Sequence, residues 1–202
     1  MSESPDYFTV SQNLSLEHRV KDSLFIAHLS SAPNRQTAEK FINKIRVEFS
    51  DANHNCFAYR IGKEDRCDYR FDDDGEPGGS SGRPILQAME SRKLSDAVIV
   101  VTRYFGGTKL GVGGLIRAYG GAAFICIDAA DLQPVIPKVI LKIQFDYDFT
   151  GAIHNLISQF DGVIKTTDYS DFINLEVEIM KDRRASIVQK LTDATRGKIR
   201  IQ

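Results

Sequence analysis

Eleven of the fifteen glycines fall into two short segments, Gly75 to Gly82 and Gly106 to Gly121, and this clustering restricts the fold of the 202-residue chain more than any other feature. Glycine reaches backbone conformations closed to other residues and lets another group approach the main chain. Each segment therefore reads as a built loop where something comes close to the backbone. The first lies in Asp72 to Pro84, DDDGEPGGSSGRP, and admits no regular structure. Pro84 then suits the first turn of a helix bearing Ile85, Leu86 and Met89. The second follows Ala97 to Val101, AVIVV, an apolar run of the kind a central strand shows when both its faces are covered. After Gly106, Gly107, Gly111, Gly113 and Gly114, the residues Leu115, Ile116, Tyr119, Ala122, Ala123, Ile125 and Cys126 suit a helix packed on that sheet.

The flanking segments complete an α+β domain. Leu14 to Val20 and Leu24 to Leu29 read as strands, Ala38, Phe41, Ile42, Ile45 and Phe49 as the inner stripe of a helix, and Cys56 to Ile61 as a further strand. Pro134 and Pro137 interrupt both helix and sheet bonding, which divides the chain into domains 1–133 and 134–202. Beyond that point Val139 to Tyr147 alternates as a half-buried strand. A helix follows, with Thr150 as its cap and Gly162 at its end. Val163 to Thr167 and Phe172 to Met180 form a hairpin, Asp182 caps a second helix, and Lys198 to Ile201 closes the pattern. The order is βαββαβ, a ferredoxin-like sandwich.

Composition narrows the class. With 42% hydrophobic and 26% charged residues the chain reads as an ordinary globular protein, and no apolar run is long enough for a bilayer. Nothing resembles a secretory signal, so the cytoplasm is expected and no membrane partner. Three cysteines without regular spacing do not form the pattern of a disulfide framework. A net charge of -1 supplies no global field for nucleic acid, so any anion site must be local.

Such a patch exists in the second glycine segment. A buried strand runs through Arg103, Tyr104, Gly106, Gly107, Lys109, Gly111, Gly113 and Gly114 into a helix N-terminus, with Arg117 in its first turns and no acidic residue from Ala97 to Ile127. Free amides and the helix dipole at such an end favour an anion. The alternative is structural: Gly106 and Gly107 make a tight turn, while Gly120 and Gly121 let the helix pack closely. Neither the phosphate-loop pattern nor G-x-G-x-x-G is met, the latter because Ile116 stands at its third glycine, so no ATP, NAD or other cofactor is expected.

The first segment offers Asp74, Gly75, Glu76, Gly79, Ser80, Ser81 and Arg83. Its four carboxylates, Asp72, Asp73, Asp74 and Glu76, could hold magnesium, form a solvated turn, or meet a basic partner; the structural or partner reading is preferred, and no metal is expected. Gly78 to Gly82 matches G-x-S-x-G only literally, because an acidic turn and not an apolar strand precedes it. His54 and Cys56 share a strand face, and read as a buried thiol beside a hydrogen-bonded imidazole.

Together DDDGEPGGSSGRPILQAMES and DAVIVVTRYFGGTKLGVGGLIRAYGGAA closely resemble the signature of the IMPACT/YigZ family in its bacterial two-domain form. The resemblance covers roughly Leu16 to Ala130. It implies a first domain with the left-handed βαβ fold of ribosomal proteins and elongation factors, and a second like a domain of elongation factor G. Members often carry His-His-Cys where this chain has His54-Asn55-Cys56. Eukaryotic relatives act in translational control, competing for the activator of an amino-acid-starvation kinase with the help of an extra N-terminal domain that this sequence is expected to lack. The expected function is thus a translation-linked binding protein for RNA, the ribosome or a translation factor. Two alternatives stand beside it: a metal-assisted enzyme on a phosphate-containing substrate, and a module that binds a protein partner. No catalytic pattern is complete, which leans against the enzyme.

Overall fold

The computed structural model describes residues 5–63 and 67–202, in two compact units, Asp6–Val135 and Ile136–Gln202. The first is built on an antiparallel sheet in which β2 (Leu14–Val20), β3 (Ser23–Ser31), β6 (Ala97–Tyr104), β4 (His54–Ile61) and β5 (Asp68–Asp72) lie side by side in that order. Strand β6 sits at the centre. It is apolar throughout its first five residues because helices cover both faces. Val98 and Val100 pack with Phe57 and Tyr59 against Ala38, Ile42 and Ile45 of α1 (Arg35–Glu48). Ile99 and Val101 face the other way, into a core with Ala27, Leu29, Cys56 and residues of α2 (Gly82–Ser91) and α3 (Val112–Asp128). The segment β3-α1-β4 crosses over β6, to which both of its strands run antiparallel. Helix α1 starts where the side chain of Asn34 accepts the Thr37 amide at 2.9 Å.

Three strands carry little hydrophobic signal. β5 is an edge strand with exposed, charged residues. β1 (Tyr7–Val10) and β7 (Leu132–Val135) form a separate two-stranded ribbon in which Phe8 lies opposite Pro134. Pro134 lacks a donor, and a two-stranded ribbon tolerates that on its unpaired side. The chain therefore stays in the first unit through Pro134, and the second unit begins at Ile136.

The second unit orders its strands β11 (Arg200–Ile201), β8 (Lys138–Phe145), β10 (Ile173–Met180), β9 (Val163–Tyr169), all antiparallel, with α4 (Thr150–Gln159) and α5 (Arg184–Ala194) on one face. This is the ferredoxin-like arrangement expected from βαββαβ. The caps differ from the sequence reading. Short 3-10 turns, Tyr147–Phe149 and Lys181–Arg183, precede the two helices. Amides that a side chain would cap bond back to their carbonyls. The Thr150 hydroxyl donates to Tyr147 O at 2.6 Å instead of accepting, and Asp182 caps nothing. At the end of α4 the positive φ belongs to Asp161, at 53°. Gly162 is needed for space, since a Cβ there would fall 2.8 Å from Ile157 Cγ2.

Two glycines of the first unit give opposite expectations for one substitution. A Cβ on Gly106 would lie 1.8 Å from the backbone oxygen of Asp22, whereas on Gly120, inside α3, it would meet Pro84 Cβ at an ordinary 3.6 Å. Gly106→Ala is expected to cost at least about 2 kcal/mol, and Gly120→Ala to stabilise by about 0.5–1 kcal/mol through helix propensity. Urea unfolding of the two variants measures both signs.

Candidate functional site

Phe25, Arg103 and His54 stand in one row across β3, β6 and β4, on the face that α2 and α3 cover. The Arg103 guanidinium lies between the rings of Phe25 and Phe105, 5.5 Å from each centroid. Its Nη1 donates to Glu76 Oε1 at 2.5 Å, and the Tyr119 hydroxyl donates to the same oxygen at 2.7 Å. Tyr119 in turn meets Phe25 edge-on. Both charged groups are buried, with side-chain exposures of 7% for Arg103 and 4% for Glu76.

His54 and Cys56 border this pair from β4. The imidazole Nδ1 donates to Asp74 O at 2.8 Å, and Nε2 lies 3.9 Å from Glu76 Oε1. Cys56 Sγ donates to Asp73 O at 3.1 Å. Burial pushes the Cys56 thiol up to about 12 and raises the Tyr119 phenol as well, the latter further raised by Cys56 and Glu76. Burial thus favours the protonated thiol, which donates its hydrogen to Asp73 O.

The acidic loop is tied to the protein at each carboxylate. Asp73 accepts from Gly79 N, Ser81 N, Ser81 Oγ and Gly82 N at 2.7–3.0 Å, and so satisfies the start of α2. Burial raises its carboxyl, but the four donors outweigh that and hold it below the usual carboxylate range. Asp74, with φ of 45°, accepts from Asn55 N at 2.7 Å and Arg46 Nη2 at 2.8 Å. Asp72 accepts the Asp74 amide. Among the described residues no three His, Cys, Asp or Glu side chains gather to hold a metal. Gly75 (φ 87°) and Gly79 (φ 75°) meet the turn requirement, Ser80 and Ser81 are buried, and Arg83 is exposed above the Phe71 ring.

Several residues singled out from sequence stand differently in space. Arg103 turns inward and spends its charge on Glu76, so it is not offered to a solvent anion, and Glu76 is not offered to a partner. The glycine turn is acid-free along the chain but not around it: Thr108 donates to Asp22 at 2.6 Å and the Tyr104 hydroxyl to Asp51 at 2.8 Å. Gly120 and Gly121 are not close-packing devices, because a Cβ on either meets its nearest neighbour at 3.5–3.6 Å. The two glycine clusters are joined through Glu76, which reaches both the strand before the second cluster and the helix after it.

What remains open to solvent is the start of α3. Gly107 (φ 96°) and Gly111 (φ 71°) turn the chain into the helix, no side chain caps its first amides, and Gly113 is exposed. Lys109 and Arg117 are exposed beside it. A cleft of about 300 Å³ opens there between α3 and β2, lined by His18, Lys21, Leu110, Gly114 and Arg117 with no carboxylate. His18 and Lys21 come from the β2 end of the sheet, and no spacing in the sequence links them to Arg117.

Comparison with known proteins follows these two units. Residues 21–127 match the family model for the Impact N-terminal domain, and residues 143–198 match a domain of unknown function, DUF1949. The chain is 37% identical over 195 residues to the IMPACT family member YvyE of Bacillus subtilis, covering 95% of this chain and 88% of that one. It is 34% identical to YigZ of Escherichia coli, covering 90% of each. Protein IMPACT of Oryctolagus cuniculus is 31% identical over 91 residues, 44% of this chain and 29% of that one. A crystal structure of a hypothetical protein, 32% identical, superposes with a TM-score of 0.69 over 96% of this chain and 95% of the other.

The buried pair sets two expectations. Glu76→Ala strands the Arg103 charge and is expected to cost about 3–5 kcal/mol in urea unfolding, against about 1 kcal/mol for Tyr119→Phe, which leaves the pair in place. Asp73 has a folded-state carboxyl below its unfolded value. Its stabilisation is therefore complete above the ordinary carboxylate range and disappears as pH falls through the lowered value. Thermal midpoints measured down the acid limb are expected to fall less steeply for Asp73→Asn than for the unaltered chain.

Proposed function

The chain belongs to the IMPACT family, and from that premise we propose that it is a translation-linked binding protein whose first unit contacts the phosphate backbone of RNA, free or in the ribosome. The observation that carries this reading is the cleft at the start of α3. Lys21 and Arg117 line it, Lys109 precedes its Leu110, the helix start that borders it at Gly114 has no side-chain cap, and no carboxylate shares its lining. Such a site suits a phosphate through charge and through N–H donors together. Backbone phosphate is favoured over a nucleotide, because the nucleotide-loop spacings are unmet.

The open sheet face of the second unit supports placing RNA on the first. There Lys142 pairs with Glu176 at 2.8 Å, and Glu178 takes both Lys138 at 3.0 Å and Lys165 at 3.2 Å. Each of these lysines already has a carboxylate partner on the sheet, whereas Lys21, Lys109 and Arg117 lie, among the described residues, beside no such row. The metal-assisted reading loses its ligands in the same way, since Asp73, Asp74 and Glu76 accept donors from the protein itself.

Binding of a fluorescent single-stranded RNA, followed by anisotropy across a salt series, tests the proposal. Affinity is expected to fall steeply with salt. Lys109→Ala and Arg117→Ala are each expected to weaken it and to lower the salt slope by about one. No binding at low salt, or binding indifferent to both substitutions, contradicts it.

A further inference from the structure

Helix α3 carries an apolar row, Val112, Ile116 and Phe124, of which the first two are exposed and Phe124 is half-buried against the core, with Gly120 at the missing position. Val112 is 53% and Ile116 40% exposed. Side chains four apart form one ridge on a helix, and the missing member leaves a notch in it. The notch opens into a groove of about 360 Å³ between α2 and α3, formed by Pro84, Ile116, Gly120, Gly121 and Phe124 with Arg117 at the rim. The fold itself does not require these glycines. A methyl group on either would make ordinary contacts, at 3.6 Å to Pro84 and 3.5 Å to His18 Nε2. Two interior glycines nonetheless cost the helix about 1 kcal/mol each relative to alanine. The absent side chain leaves room over Pro84 for a group from outside the fold.

Charge along the groove is uneven. Arg117 on α3 is exposed at the groove rim, while Arg83 on α2 turns away to the Phe71 ring of β5. At the far end Arg92 holds Asp128 through two bonds, at 2.7 and 2.9 Å, and Glu90 is exposed on α2. One end is basic and the other is neutral to acidic.

We propose that this groove docks an amphipathic α-helix of a protein partner. The partner helix seats an apolar side chain in the Gly120 notch and lays a carboxylate against Arg117. Ridges spaced four residues apart on both helices give the packing class commonest between globular helices. A helical partner fits better than an extended strand, because the groove lies between two helices and offers no free sheet edge. This surface is distinct from the cleft on the β2 side of α3, with Arg117 alone shared.

A phage-displayed library of helix-forming peptides about four turns long, apolar on one face and randomised in flanking charge, selected on the full chain, tests the proposal. Selected peptides are expected to carry acidic residues at one end. Synthesised, they are expected to give saturable NMR shifts at Gln87, Ile116, Gly120 and Phe124. Ile116→Lys and Gly120→Leu are expected to weaken them by about tenfold or more, roughly 1.4 kcal/mol, while RNA binding is kept. Ile116→Lys changes an exposed position and preserves the test if Gly120→Leu fails to fold. The proposal is overturned if nothing is enriched over a helix-breaking library, if selected peptides are basic, or if they bind Ile116→Lys as well as the unaltered chain. Because RNA affinity is read on the same variants, failure of the groove and failure of the RNA site give different results.

Discussion

One buried ion pair fastens the first glycine-rich loop, the central strand and helix α3 of the first unit to one another. Glu76 arrives on a glycine-rich loop with no regular structure, and Arg103 comes from the last turns of the central strand. Because Tyr119 donates to the same carboxylate oxygen, loop, strand and helix are fastened at a single atom. Two charges taken out of water gain little net stability from each other, but neither can be released alone without a large penalty. The loop therefore cannot drift, and the strand must enter the glycine turn in a fixed direction.

That pair also sorts the charges. Acidic side chains of the first loop turn inward, to Arg103, Arg46 and the amides at the start of α2, while Lys21, Lys109 and Arg117 are left around the start of α3. A chain with a net charge of -1 thus acquires a basic cleft without a basic surface overall. The second unit distributes its charges in the opposite manner, with lysines and glutamates pairing across strands on the open face. The proposed phosphate site thus rests on local placement and not on net charge.

Much of this was legible in the sequence because it follows periodicity. The apolar run at Ala97 to Val101 could only be a strand covered on both faces, and the alternation from Val139 onward fixed the second unit's element order. The signature around both glycine segments brought the family into view. Three kinds of feature were not legible. β1, β5 and β7 are short edge or ribbon strands, whose pairing partners lie far away in sequence. The caps at Thr150 and Asp182 failed because a 3-10 turn can satisfy the same amides through the backbone. Arg103 was read as a solvent cation since its flanks contain no acid; Glu76, twenty-seven residues earlier, faces it only after the fold brings the loop across the sheet. Asp22 and Asp51 reach the glycine turn in the same way.

The central claim is that phosphate contact is made at the start of α3. Ultraviolet crosslinking of the full chain to single-stranded RNA, with crosslinked residues mapped by mass spectrometry, addresses it most directly. Adducts concentrated at Lys21 and between Tyr104 and Arg117 are the predicted result; adducts confined to the open sheet face of the second unit, around Lys142 and Arg200, would contradict it.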